Sequence, residues 1–299
     1  MAVSATAHVV PGAGPLRAGA PDPGLLGPAG LAPIGLDELN DRAAMLTRVD
    51  RKYALDAEQV PQVLAQLDPA TRVLEIDRIR LQSYRSTYFD TPDWDSFLGT
   101  AHQRRRRFKV RTRLYTDSGL AFLEVKTRGA RKTTVKERIP LPVEAAEADV
   151  LTPAGLGWVA DQLAGIGQDR GLADALGPVL RCSYRRLTLA MPDGGRATVD
   201  TDLVWTGADG RALDCPSLVI VETKSGSSPS RLDRVLWSLG HRPARISKFG
   251  TAMAALDPSL PANRWTRVLR RSGLAPSAPP LPLPQAPTGV AAELEGLAR

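Results

Sequence analysis

Residues 107–114 read Arg-Phe-Lys-Val-Arg-Thr-Arg-Leu. In an extended strand, Arg107, Lys109, Arg111 and Arg113 share one face, and Phe108, Val110, Thr112 and Leu114 share the other. Segments 122–127, 134–139, 184–189, 196–203 and 219–224 repeat the scheme. They set Lys126, Lys136, Arg186, Arg196 and Lys224 on polar faces, and Lys52 does the same in 48–55. A guanidinium fork grips phosphate oxygens bidentately, and an ammonium adds a point charge. Cations stacked on strand after strand repel one another unless an anion lies between them. A sheet closed into a barrel with a basic lumen meets that condition. A chain of phosphates suits such a lumen better than a single carboxylate does.

Acidic residues are threaded through the same strands. Glu124 lies two positions from Lys126 and Glu222 two from Lys224, while Asp200 and Asp202 share parity with Arg196. Carboxylates inside a polyanion site must hold a cation or orient a neighbouring Arg or Lys. Mg²⁺ is bound through one or two carboxylates plus phosphate oxygens and water, and Mn²⁺ takes similar ligands. Glu222 is the best candidate ligand for Mn²⁺ or Mg²⁺; an ion pair that orients Lys224 or an Arg is the competing role. Leu218 and Ile220 share the parity of Glu222, so only the end of that strand is polar. Other machinery is missing. The chain has no P-loop, no GxGxxG after a strand and no GxSxG. His8, His102 and His241 have no sequence partner suited to a base, and the five tryptophans show no stacking pattern.

Something must position these strands. The chain has 299 residues and a formal net charge of +7, with thirteen Lys/Arg between Arg104 and Arg138 against Asp117, Glu124 and Glu137. That length suits one large β domain or two small ones. Many strands with a few helices point to an α+β, mostly antiparallel fold. Three regions are expected. Residues 1–35, rich in Gly, Ala and Pro, read as a disordered arm. Residues 36–262 form the folded domain. Residues 263–299 hold a short basic helix near 264–271 and a Pro-rich tail of polyproline II character. Within the domain, Asp37 is expected to cap a helix to Met45, and Asp56 to cap a helix to Leu67 with Gln59 in a capping box. A strand over 83–89 should end at Asp90-Thr91-Pro92, and Ser228-Pro229 should open a helix stopped by Gly240. Cys182 and Cys215 have no metal-ligand spacing and read as buried thiols in a reducing compartment. No apolar run approaches the ~20 residues a membrane span needs, and no secretory signal is evident. The expectation is a cytoplasmic protein.

Taken in order, these pieces resemble a known family. They are Arg48-Val49-Asp50-Arg51-Lys52-Tyr53, Tyr88-Phe89-Asp90-Thr91-Pro92, Lys109-Val110-Arg111-Thr112-Arg113, Glu124-Val125-Lys126-Thr127-Arg128, Val135-Lys136-Glu137-Arg138, Tyr184-Arg185-Arg186, Val199-Asp200-Thr201, Glu222-Thr223-Lys224 and Ser247-Lys248-Phe249. Together they resemble the catalytic domain of the vacuolar transporter chaperone (VTC) polyphosphate polymerases, within the triphosphate tunnel metalloenzymes. The resemblance covers nearly all of 48–255. It implies an eight-stranded antiparallel β-barrel tunnel with flanking helices. It also implies an ATP- and metal-dependent phosphotransferase that passes the terminal phosphoryl of a nucleoside triphosphate to phosphate or growing polyphosphate. Lys52, Arg111, Arg113, Lys126, Lys136, Arg186, Arg196 and Lys248 match the family's phosphate-binding positions, and Glu222 its metal-binding glutamate. Arg186 is preferred to Arg185 for the inward place because Leu187 and Leu189 have the opposite parity. Lys224 joins the substrate-binding set through its polar face.

Hydrolytic members of the wider superfamily resemble ExExK in the first strand, where this chain has Arg48-x-Asp50-x-Lys52. Fewer carboxylates there favour transfer to phosphate over water activation, although Asp50 leaves a tripolyphosphatase or nucleoside triphosphatase open. A non-catalytic polyphosphate-binding module is the other alternative. Nucleic acid ranks last as a partner, because its binders pair exposed cations with stacking aromatics and aromatics are only 5% of this chain. The terminal arms are short for a regulatory domain, so export of a product across a membrane would require a partner protein.

Overall fold

The structure, a computed structural model, describes residues 30–42, 49–128 and 134–274. Eleven strands build one sheet. In chain order they are β1 (Ala32–Ile34), β2 (Val49–Asp56), β3 (Arg72–Leu74), β4 (Leu81–Asp90), β5 (Phe108–Tyr115), β6 (Leu120–Arg128), β7 (Thr134–Pro140), β8 (Gly177–Ala190), β9 (Arg196–Gly207), β10 (Ala212–Cys215) and β11 (Leu218–Ser225). Eight of them form a continuous antiparallel path, β2-β11-β9-β8-β4-β5-β6-β7. β3 and β10 pair with β8 and β9, and β1 runs parallel to β3. β1 sits at the end of the stretch expected to be a free arm; residues 1–29 of that stretch, 43–48 and most of the Pro-rich tail lie outside the described residues.

The class is α+β, as the alternating pattern implies, but the expected closed barrel is not hydrogen-bonded shut. Among the described residues, β2 and β7 are the two ends of the path and do not pair. Pairing needs strands about 4.8 Å apart. Lys52 on β2 lies close enough to Lys126 on β6 and Lys109 on β5 to disfavour their charged forms. The sheet is therefore curled into a trough, with Lys52 of β2 facing Lys126 and Lys109 across it.

Helices cover the outside and one end of the trough. They are α1 (Leu36–Arg42), α2 (Val60–Leu64), α3 (Asp95–Ala101), α4 (Val143–Glu147), α5 (Pro153–Ala164), α6 (Arg231–Ser238), α7 (Lys248–Leu256) and α8 (Thr266–Arg271). The odd-numbered face of β2 and β11 buries Tyr53, Leu55, Val219 and Val221 against Val60, Val63, Leu232 and Leu236 of α2 and α6. Phe108, Val110, Leu123 and Val125 pack with Val159 and Leu163 of α5. These strands thus turn one apolar parity outward, and the other parity faces the concave side, apolar under α7 and polar beyond it. α7 lies over the Lys109 end, with its Phe249 and Met253, and Ile246 just before it, packed with Tyr88, Tyr184 and Ile220.

Local signals act as their chemistry suggests. Gln59 Oε1 accepts from the Asp56 backbone N–H at 3.1 Å, but the turn it stabilises is a 3₁₀ turn leading into a short α2. Asp90 ends β4 and accepts the backbone N–H groups of Ser96 and Phe97, each at 2.8 Å, at the start of α3. The cap of α6 is Ser230, two residues later than Ser228; Ser230 and Asp233 form a capping box, and Gly240 follows the helix with φ +84°. No helix among the described residues is long and apolar enough to cross a membrane.

Candidate active site

The concave face is built from side chains two residues apart on successive strands. Register sets Arg111 opposite Glu124 and Lys109 opposite Lys126 on β5 and β6, and Lys136 opposite Lys126 on β7. Across the trough, Lys52 lies opposite Glu222 and Arg196 opposite Lys224. Arg186 lies opposite Asp200, and Lys248 reaches the same carboxylate from the first turn of α7. The sheet and α7 thus bring the ten sequence-predicted residues to one face. Arg185 turns the other way and donates to Asp202 at 2.8 Å.

Three carboxylates anchor most of these cations. Arg111 donates through Nε to Glu124 Oε2 at 2.7 Å and through Nη1 to the Tyr88 hydroxyl at 3.1 Å, while Lys136 Nζ lies 2.5 Å from Glu124 Oε1. Arg186 donates through Nε and Nη2 to the two oxygens of Asp200, at 2.5 and 2.8 Å, and Lys248 binds the same group. Lys52 and Lys224 lie 3.3 and 2.8 Å from the two oxygens of Glu222. Burial alone would raise all three acids. The facing cations win and hold Glu124, Asp200 and Glu222 well below the usual carboxylate range. All three are charged at neutral pH.

Aromatic rings fix the guanidinium planes. Tyr84 and Tyr184 stack with centroids 5.2 Å apart, and the Arg186 Cζ lies 5.2 and 5.3 Å from their centroids. Arg113 Cζ lies 5.5 Å from Tyr84, and its Nη2 donates to the Tyr184 hydroxyl at 3.3 Å. Such cation–π contacts hold an Arg in place while leaving other N–H groups of its five free for a ligand.

Besides Arg113, the lysines at 109 and 126 on this face have no carboxylate within ion-pair reach among the described residues. Lys109 Nζ donates to Ser247 Oγ at 3.1 Å and sits 5.7 Å from the Phe249 centroid. Burial, then Lys52 and Lys126, push its pKa down to about 7. Burial, Lys52 and Arg111 push Lys126 down to about 8. Burial also brings Lys136 to about 8, despite Glu124. An anion entering this face would complete the protonation of these amines, since no carboxylate pairs with Lys109 or Lys126. Lys109 is absent from the sequence-predicted set, although it shares the parity of Arg111 and Arg113 on the same strand.

A metal would meet a sparse donor set. Among the described residues, no three His, Cys, Asp or Glu side chains lie together at metal-holding distance. Glu222 offers one ionised carboxylate on the basic face. Lys52 and Lys224 face its two oxygens, so a hard divalent cation there would displace a lysine and take most of its shell from substrate oxygens and water.

Fold and site define a curled antiparallel-sheet protein with an excess of cations on its concave face. The VTC domain model matches residues 47–257, and the chain belongs to the VTC-domain family. No curated protein is significantly similar in sequence. Solved structures resemble the fold at low identity. HpAC1 from Hippeastrum, for which a dominant triphosphatase activity is described, is 14% identical, with 70% of this chain and 96% of that chain covered and a TM-score of 0.46. The PH1819 protein of Pyrococcus horikoshii OT3 is 14% identical over 71% of this chain and 99% of its own, with a TM-score of 0.41.

Proposed function

We infer that the chain is a polyphosphate polymerase. It binds a nucleoside triphosphate in the basic trough and transfers the terminal phosphoryl to inorganic phosphate or to a growing polyphosphate chain. The observation that carries this reading is the cross-strand pair Lys109 and Lys126, without a carboxylate partner, beside pre-anchored Arg111, Arg113 and Arg186. Phosphoryl transfer asks little covalent chemistry of the protein and depends on positioning and charge stabilisation. Anchored guanidinium groups meet that need, because they do not reorganise when charge develops. Arg111, Arg113 and Arg186 orient donor and acceptor oxygens; Lys52, Lys126, Lys136, Arg196, Lys224 and Lys248 supply charge along the chain. Glu222 would hold Mn²⁺ or Mg²⁺, which when bound neutralises charge on the donor phosphates. Phosphate chains bridge the two rims and complete the tunnel that hydrogen bonds leave open. The expected setting is the cytoplasm, with a membrane partner if the product is exported.

Hydrolysis is the second reading. It is favoured by Asp50, which shares the parity of Lys52 and lies near enough to influence Lys126 and Lys224. Purified protein incubated with ATP and Mn²⁺ or Mg²⁺ separates the two on a polyphosphate gel. A ladder of chains, lost in Lys52→Ala, is the expected result. Free phosphate without chains makes the protein a triphosphatase, and neither product with tight tripolyphosphate binding makes it a binding module.

A further inference from the structure

The basic ladder does not stop at Lys109 and Lys126. Arg107 immediately precedes β5, and the backbone N–H of Arg128, the last residue of β6, donates to its carbonyl at 3.2 Å. Two residues along a strand return the side chain to the same face. Arg107 and Arg128 therefore extend the concave face by one rung past Lys109 and Lys126. The segment between α7 and α8 brings Arg264 to the same end. Its neighbour Trp265 fixes it there: the Trp265 ring lies 5.5 Å from Phe97 and covers Gly250 of α7 so closely that a Cβ there would come within 2.2 Å of it.

None of these three arginines has a carboxylate partner among the described residues. Arg107 donates to the Arg104 carbonyl at 3.0 Å. Arg264 Nη1 is buried with no hydrogen-bond partner. Burial, then Arg128 and Arg264, disfavour the charged form of Arg107; burial, then Arg245, do the same to Arg264. A buried unpaired N–H and a set of like charges both oppose folding. An anion with several oxygens cancels both costs at once, and guanidinium forks match phosphate oxygens best.

We propose that Arg107, Arg128 and Arg264 form a separate phosphate-binding site at the Lys109 end of the trough. Its ligand is either the continuation of a phosphate chain past the triphosphate or free inorganic phosphate. The six residues from Arg113 to Arg107 span about 20 Å of strand, more than a triphosphate covers. The chain source rests on the polyphosphate reading above; the binding chemistry does not.

The test compares the full chain with its Arg128→Gln/Arg264→Gln variant in binding, not catalysis. Long-chain polyphosphate should lose about tenfold or more in affinity, as expected when charge-assisted contacts go. Tripolyphosphate should change less than about twofold, because its cations are intact. If free phosphate is the ligand, long-chain affinity holds, and millimolar inorganic phosphate raises the Tm of the wild type but not of the variant. Arg264→Lys in the Arg128 wild-type background should restore most of the effect. A variant that keeps both long-chain affinity and the phosphate-induced rise in Tm overturns the proposal. So does a ligand-free Tm below that of the wild type, because removing mutual repulsion should hold or raise it. A protein that shows the binding pattern but makes no chains sinks the polymerase reading alone.

Discussion

Proton uptake on ligand binding follows from the charge state of the trough. Lys109 has a pKa near 7, and Lys126 and Lys136 have values near 8, because burial and like charges disfavour their ammonium forms. Phosphates reverse that balance by favouring the charged form. At pH 8 a group of pKa about 7 is about one-tenth protonated, and one of pKa about 8 is about half protonated. Full protonation in the complex therefore takes up about 0.9 proton at Lys109 and about 0.5 at each of the other two, about two in all. Near pH 6 the same groups are already charged, and uptake falls to about 0.1. Calorimetric titration with tripolyphosphate in two buffers of different ionisation heat reads these numbers. Lys109→Met should remove about 0.9 proton at pH 8, and the difference cancels the ligand's own titration. Equal uptake by wild type and variant at pH 8 refutes the reasoning.

Lys109 also sets a stability slope. Its folded pKa lies below the ordinary 10.5, so between about pH 7 and 10.5 the unfolded chain binds more protons and stability rises with pH. The penalty is fully present below pH 7, and denaturation of Lys109→Met should show a flatter rise. Asp200→Asn should cost about 3–5 kcal/mol in denaturant unfolding, because it strands Arg186 and Lys248 around a fully buried position; an unchanged midpoint would sink the anchoring role. Gly250→Ala drives a Cβ into the Trp265 ring. Overpacking should destabilise by about 1–3 kcal/mol or more and shift the tryptophan emission, and unchanged emission would contradict the packing.

The trough was legible because a pleated strand enforces a period of two. Arg111 and Arg113 on one strand, and Glu124 and Lys126 on the next, could only fall on one side once Val110 and Val125 were buried. Lys109 obeys the same parity and stands in the same motif, but nothing in the sequence marks it as the buried amine that meets Ser247 and Phe249. The Leu218 and Ile220 parity conflict resolves through α7: those residues meet its apolar cap at one end of the trough, where Glu222 and Lys224 do not reach. What pattern could not give was pairing over long separations. Asp200 and Lys248 are 48 positions apart, and nothing local links them. Edge closure was equally hidden, because no local pattern tells whether β2 and β7, far apart in the chain, pair. The short β1, β3 and β10 carry too few residues to show a period.

The most direct measurement is a crystal structure with tripolyphosphate bound. The account predicts phosphates on the concave face, with oxygens about 2.7–3.2 Å from nitrogens of Arg111, Arg113, Lys126 and Arg186. Tripolyphosphate seated outside the trough, with Arg111 still on Glu124, Arg113 on Tyr184, Arg186 on Asp200 and no phosphate oxygen on Lys126, would contradict it.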